Sequence, residues 1–169
     1  MPQTIKSLFH FTDRRNLPSI QKTGGLFSYA RLKEMKIEIP APGGNEWSHE
    51  ADAYKSMDKY VHLCFRPTHP MEHNARLDGR IVSSIFLNIH TGVLGIGGVR
   101  FAAGGSNKAD VQTHSIKDAM DIIDFDMLYG GWKDWNDPAI QARLQEVEKY
   151  EILVPDSVPL ERILNFPNG

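Results

Sequence analysis

Apolar segments no longer than a strand, most of them bounded by proline or glycine, constrain this chain more than any other feature. "SLFHFT" (7–12) alternates and is rich in aromatics, "KYVHLCF" (59–65) is a clear strand, and "IVSSIFLNI" (81–89) is apolar enough to read as a central one. The "RPTHPM" that follows the second run must leave the sheet, because proline cannot donate to a ladder. Toward the end, "EILV" and "LERILNF" read as two more strands.

Helical spacing fills the gaps. "NLPSIQKTGG" reads as a short helix with Asn16 as its cap, Pro18 tolerated in the first turn, and Gly24-Gly25 as its stop. "MEHNARLDGR", "SIKDAMDIID" and "DPAIQARLQEVEKY" are further helices, the last with Asp137 as cap and Pro138 at its first position. "APGGNEWSHEADAYKSM" (41–57) begins as a loop and turns helical from about Ser48, and the glycine-dense stretch 92–110 punctuates short strands with tight turns. No internal repeat or low-complexity tract is present. The expectation is one compact α+β domain over residues 1–169, with strands in excess.

A chain of 169 residues, 41% of them hydrophobic, can bury a real core without staples. Cys64 is the only cysteine, so no internal disulfide and no four-thiolate zinc site can form within one chain, which fits a reducing cytoplasm. The opening residues lack the apolar core of a signal peptide, and no stretch is long enough to cross a bilayer, so a soluble cytoplasmic protein with no membrane partner is expected. The formal net charge of -2 gives no global pull on a polyanion. A nucleic-acid partner would need a local basic groove, for example from Lys55, Lys59, Arg66, Arg76, Arg80 or Lys108.

Among the seven histidines, His69 and His73 lie four apart with Glu72 beside the second. Pro70 interrupts that segment and the order is not that of a metalloprotease helix, so surface or helix-start histidines and no metal are expected. "GIGG" and "AAGG" complete neither phosphate-loop nor dinucleotide fingerprint and read as hairpin turns. Cys64, inside an apolar strand, reads as a small inert hydrophobe.

Two positions carry more. In an alternating strand His10 and Thr12 share one face and Phe9 and Phe11 the other, which fits either a lined cleft or a half-exposed edge strand. Glu151 stands at the mouth of Ile152, Leu153 and Val154, where a strand entering a core prefers a hydrophobe. Such a carboxylate stays wet, finds a partner or serves a site.

In this order the pieces resemble the DarT family of NAD-dependent nucleic-acid ADP-ribosyltransferases, the toxin halves of pairs with a macrodomain antitoxin. "FHFTDRRNLPSIQKTGGLFS" is similar to that family's opening strand and helix, with its H-x-T and N-L-x-x-I. "YVHLCFRPTHPM" resembles its central strand and Pro-rich exit, and "VRFAAGGSNKAD" its glycine/asparagine turn. "RLQEVEKYEILVPDSVPLERI" resembles its C-terminal element, where a helix feeds the strand of the catalytic glutamate.

The resemblance implies a compact ADP-ribosyltransferase-like fold, a split, twisted β-sheet core with short flanking helices and a central cleft for NAD. Glu151 would be the catalytic carboxylate, with His10 beside it. His10 and Thr12 would hold the nicotinamide-ribose end, Asn16, Leu17 and Gly25 would shape the adjacent helix and turn, and Tyr60 to Met71, Phe65 included, would wall the pocket. The loop "YGGWKDWNDP" would recognise the target, with Trp132 and Trp135 offering flat faces to an extruded base and Lys55 and Arg66 supplying charge. The family's arginine before the central strand has no counterpart in "GGNEWSHEADAYKSMDKYV". Lys55 or His49 would substitute for it, or Arg31 or Arg66 would reach the pyrophosphate from elsewhere.

The function so implied is transfer of ADP-ribose from NAD to a nucleobase of single-stranded DNA, without a metal. RNA is the nearest rival acceptor, because stacking does not distinguish it from DNA. A protein-modifying transferase on the same fold and a non-enzymatic NAD- or nucleic-acid-binding module are the other classes.

Overall fold

The computed structural model describes residues 4–37, 57–104 and 112–167. The loop and helix expected over 41–57 lie outside the described residues except for Met57, which opens a 3-10 turn, Met57–Lys59. Part of the stretch 92–110 also lies outside.

Strand β1 (Leu8–Asp13) is followed by a 3-10 turn, Arg14–Asn16, and helix α1 (Leu17–Thr23). Gly24 ends α1 at φ 88°, a left-handed conformation that costs glycine little, and donates to the carbonyls of Ile20 and Gln21. Next come β2 (Gly25–Phe27), α2 (Tyr29–Glu34), β3 (Tyr60–Cys64), α3 (Pro70–Leu77) and β4 (Ser84–Ile89). After a 3-10 turn at Thr91–Gly95 follow β5 (Arg100–Ala102), β6 (Thr113–Ser115), α4 (Ile116–Ile122) and α5 (Phe125–Tyr129). Helix α6 (Pro138–Glu148) begins as its sequence predicts, with the Asp137 carboxylate accepting from the Ala139 N–H at 2.8 Å and Pro138 in its first turn. It feeds β7 (Glu151–Pro155), then β8 (Ser157–Pro159) and a last 3-10 turn, Leu160–Arg162.

Among the described residues the strands form one six-stranded sheet, ordered β4-β1-β3-β7-β5-β6, and a two-stranded one, β2-β8. Every pairing is antiparallel. Strands β1 and β3 share a single register pair, Phe9 with Cys64, so the large sheet parts on either side of that junction. Directly opposed residues project to the same face. The row Phe9, Cys64, Glu151, Ala102 therefore lies on one face. His10 with Leu87, and Leu63 with Ile152 and Phe101, lie on the other. Leu8, Leu63, Leu87, Phe101 and Ile152 join the main apolar core, each contributing about 1.5–3 kcal/mol by leaving water. Met57, Ala102 and Leu153 form a smaller cluster with Tyr60.

Three local expectations are corrected. β4 is an edge strand rather than a central one. It reads as central because the chain end covers its outer side: Leu164 donates to the Asn88 carbonyl at 2.8 Å, Asn165 bonds both Asn88 N–H and the Phe86 carbonyl, and Ile163 bridges Ile89. "LERILNF" is accordingly not a strand, since Ser157–Pro159 pairs with β2 and the chain then turns through Leu160–Arg162. Asn16 precedes α1 but makes no capping bond, because its own backbone is already helical (φ -84°, ψ -14°) and its side chain turns inward.

Candidate functional site

The strand-helix unit that opens the chain builds one half of the site. Thr12 and Asn16 are both buried, and Asn16 Nδ2 donates to Thr12 Oγ1 at 2.9 Å, tying the end of β1 to the entry of α1. Asp13 caps the intervening turn, accepting from the Arg15 N–H at 2.8 Å, from the Arg15 guanidinium, and from Val82 N–H at 2.7 Å. With these fixed, His10 and Thr12 of β1, Ser19 and Thr23 of α1, Gly25 and Phe27 of β2, and Leu32 of α2 line a pocket. The alternation of β1 thus belongs to a lined cleft and not to an exposed edge. Gly25 is needed for close approach: a Cβ there would run into the Val158 carbonyl and break the β2–β8 contact.

Burial pulls the His10 imidazole down to about 4, against the opposing effect of its bond to the His62 carbonyl, so the ring is neutral near pH 7. Its Nδ1 lies 3.0 Å from that carbonyl, and since a carbonyl only accepts, Nδ1 carries the hydrogen and Nε2 the lone pair.

The other half centres on Glu151, which is 4% exposed at the start of β7, between Cys64 and Ala102. It is neither a solvated strand end nor alone: Oε1 lies 3.5 Å from His62 Nδ1, and His62 Nε2 lies 3.0 Å from the Met57 carbonyl. His69 is buried, stacks on Phe11 at 6.0 Å between ring centroids, and titrates below its ordinary value because of that burial, with Glu151 pulling the other way. His69 is the helix-start histidine of the two expected alternatives, directly before α3 with its carbonyl accepting from the His73 N–H, and it is buried rather than at the surface. Burial, reinforced by the Glu151 carboxylate, pushes the Cys64 thiol up to about 12, which keeps it inert as its strand context predicts.

Glu151 and the His10–Thr12 pair therefore project from opposite faces of the sheet by register, on the two strands that flank β3. The link is His62, whose carbonyl holds His10 and whose ring faces Glu151. Sequence reasoning reached His62 and His69 only as members of the Tyr60 to Met71 wall and set neither beside Glu151, although alternation along β3 places residue 62 on the face of Cys64.

The remaining candidates divide. Tyr60 is half-buried against Met57, Ala102 and Leu153, with the Lys59 ammonium 5.5 Å from its ring centroid. Leu17, half-buried, packs on the main core at the start of α1. Phe65 does not wall the pocket: it is 3% exposed and packs edge-on against Phe101 and Tyr150 in the core. Met71 stands in the first turn of α3. Arg66 Nη1 lies 3.9 Å from Glu148 at the end of α6, and Arg31 pairs with Glu34 at 3.1 Å. Lys55 and His49 lie outside the described residues. Trp132 and Trp135 are 85% and 45% exposed on the segment between α5 and α6. Among the described residues no group of three or more His, Cys, Asp or Glu is arranged to hold a metal ion. No helix among them is long and apolar enough to cross a membrane.

A parted antiparallel sheet with short flanking helices, carrying a buried glutamate at the head of an inner strand, has the ADP-ribosyltransferase fold. The structure matches that of Thermus sp. 2.9 DarT in complex with ADP-ribosylated ssDNA with a TM-score of 0.71 at 17% identity, covering 96% of this chain and 82% of that one. The same Thermus protein in complex with NAD+ matches with a TM-score of 0.63 at 18% identity, over 96% and 81% of the two chains. Thermosipho africanus DarTG in complex with ADP-ribose matches with a TM-score of 0.64 at 15% identity, over 94% of this chain and 42% of that one. No curated protein matches in sequence. The family described as "ssDNA thymidine ADP-ribosyltransferase, DarT" matches residues 9–166, and the chain belongs to that family of NAD-dependent ADP-ribosyltransferases.

Proposed function

We propose that this protein transfers ADP-ribose from NAD to thymidine in single-stranded DNA, with Glu151 as the catalytic carboxylate, and that it acts as the toxin of a toxin-antitoxin pair. The observation that carries the reading is the buried Glu151 carboxylate, at the head of a central strand and beside His62, in a chain matched to the DarT family over residues 9–166.

The pocket chemistry suits the nicotinamide end of the donor. A neutral His10, the hydroxyls of Thr12, Ser19 and Thr23, and the Phe27 ring combine hydrogen-bonding groups with an apolar wall. Breaking the nicotinamide–ribose bond sends its electron pair to the leaving nicotinamide and builds positive charge on the sugar, as in glycoside hydrolysis. A fixed carboxylate stabilises that charge more than it stabilises the ground state. In thymidine the base is joined to its sugar through N1, which leaves one ring N–H, at N3. Its nitrogen forms the new bond to the sugar carbon, and Glu151 takes the proton as general base. The exposed rings of Trp132 and Trp135 offer stacking faces for the base, and Arg66 a charge for the backbone.

The deciding experiment incubates the protein and its Glu151→Gln variant with labelled NAD and, in parallel, thymidine-containing and thymidine-free single-stranded DNA, duplex DNA, RNA and a protein lysate. Label on thymidine-containing single strands, reduced about 10²–10⁴-fold by the substitution, is expected. Label on RNA or on protein instead would reassign the acceptor. Near-normal transfer by Glu151→Gln would end the mechanism. An antitoxin partner would be sought by co-expression, where a macrodomain protein should relieve growth arrest.

A further inference from the structure

His62 meets both halves of the site, Glu151 through its side chain and His10 through its main chain. Nε2 lies 3.0 Å from the Met57 carbonyl, Nδ1 lies 3.5 Å from Glu151 Oε1, and the His62 carbonyl accepts from His10 Nδ1 at 3.0 Å. The carbonyl of Met57 can only accept, so Nε2 carries hydrogen, and the opposite edge of the ring faces the carboxylate. An imidazole nitrogen sits favourably against a carboxylate oxygen only with a proton between them. The ring is anchored at one edge to the turn before β3 and presents Nδ1 to Glu151 at the other.

We infer that His62 is a positioning residue that orients the Glu151 carboxylate toward the reacting sugar, while its main chain sets His10 at the pocket. The inference rests on the reading of Glu151 as the catalytic carboxylate. Glutamate has three side-chain torsions to fix, and a half-buried partner at Oε1 fixes the direction of the carboxylate before substrate arrives. Cys64, directly opposite Glu151 in register, turns its thiol to the Phe9 and Arg66 carbonyls, whereas the His62 ring faces the carboxylate.

Two substitutions separate this role from a structural one. In His62→Asn the amide nitrogen occupies the place of Nδ1 and can still donate to Glu151. In His62→Gln it occupies the place of Nε2, keeping the bond to Met57 and losing the one to Glu151. Transfer is measured with labelled NAD and a thymidine oligonucleotide, with Glu151→Gln in parallel and melting temperatures recorded. His62→Gln should lower kcat by roughly 10–100-fold, the loss of one hydrogen bond to a charged group, with KM for NAD within about twofold. His62→Asn should restore kcat to within about threefold of the unsubstituted protein. The reverse order, with His62→Gln active and His62→Asn slow, would mean that His62 only anchors the turn, and equal kcat in both would remove it from the site. If Glu151→Gln is inactive while both His62 variants are normal, this inference alone fails. If Glu151→Gln is itself active, the reading of Glu151 fails first.

Discussion

His10 Nδ1 donates to the main-chain carbonyl of His62 at 3.0 Å, across the junction where β1 and β3 share a single register pair. The bond fixes the His10 tautomer and turns its Nε2 edge to the cleft, in a sheet that otherwise parts on both sides. His10→Ala should therefore raise KM for NAD roughly tenfold and cost about 1–2 kcal/mol of stability for the bond it removes, as steady-state kinetics and urea unfolding would record. Unchanged NAD affinity and rate would remove the H-x-T strand from the site.

The bond from Asn16 to Thr12 predicts coupling between strand and helix. Thr12→Val and Asn16→Ala should each destabilise by about 1–2 kcal/mol in urea unfolding. The double variant should lose less than the sum, by about 0.5–1 kcal/mol, because one shared bond is counted in both. Strict additivity would show that Asn16 acts elsewhere.

Acid lability should appear in two stages. Burial lowers His10 from its ordinary 6.5 to about 4, so between those values the unfolded chain binds a proton that the folded chain refuses. Stability should fall as pH drops through that window, by roughly 1.4 kcal/mol per pH unit from His10, with His69, also lowered by burial, adding to it, so His10→Gln should reduce the slope without abolishing it. Asp13 acts lower: the Arg15 guanidinium holds its carboxyl well below the usual range, against the cost of burial. The stability it provides is present above its unfolded value of 3.8 and is lost as pH falls further. Urea titrations from about pH 7 down to about pH 2 would show the first stage whole and the onset of the second, and a flat profile above about pH 4 would contradict the first.

Trp132, at 85% exposed, carries little of the fold. Trp132→Ala should change stability by less than about 0.5 kcal/mol yet weaken binding of single-stranded DNA by roughly tenfold, the low-to-middle range for loss of one stacking face. Anisotropy of a labelled thymidine oligonucleotide would measure it, and unchanged affinity would place the DNA elsewhere.

Much of this was legible in the chain. Alternation marks β1, and Gly24, Asp137 and Pro138 mark helix ends, because those effects act within a few residues of sequence. The oddity of a carboxylate at the head of "EILV" is also local, as is the H-x-T pair on one face of a strand. Strand order is not local. Nothing near β4 in sequence tells that residues 163–165 return to cover its edge, so an apolar edge strand reads as a central one. Asn16 has the composition of a cap, and only the placement of Thr12 beneath it draws its amide inward. Phe65 follows β3 into the core because Phe101 and Tyr150 arrive there from distant segments. The residues that a glutamate at this position can use were written in the sequence, but its partner was not: His62 and Glu151 are far apart along the chain, and they face each other only because the ladder between β3 and β7 sets their register.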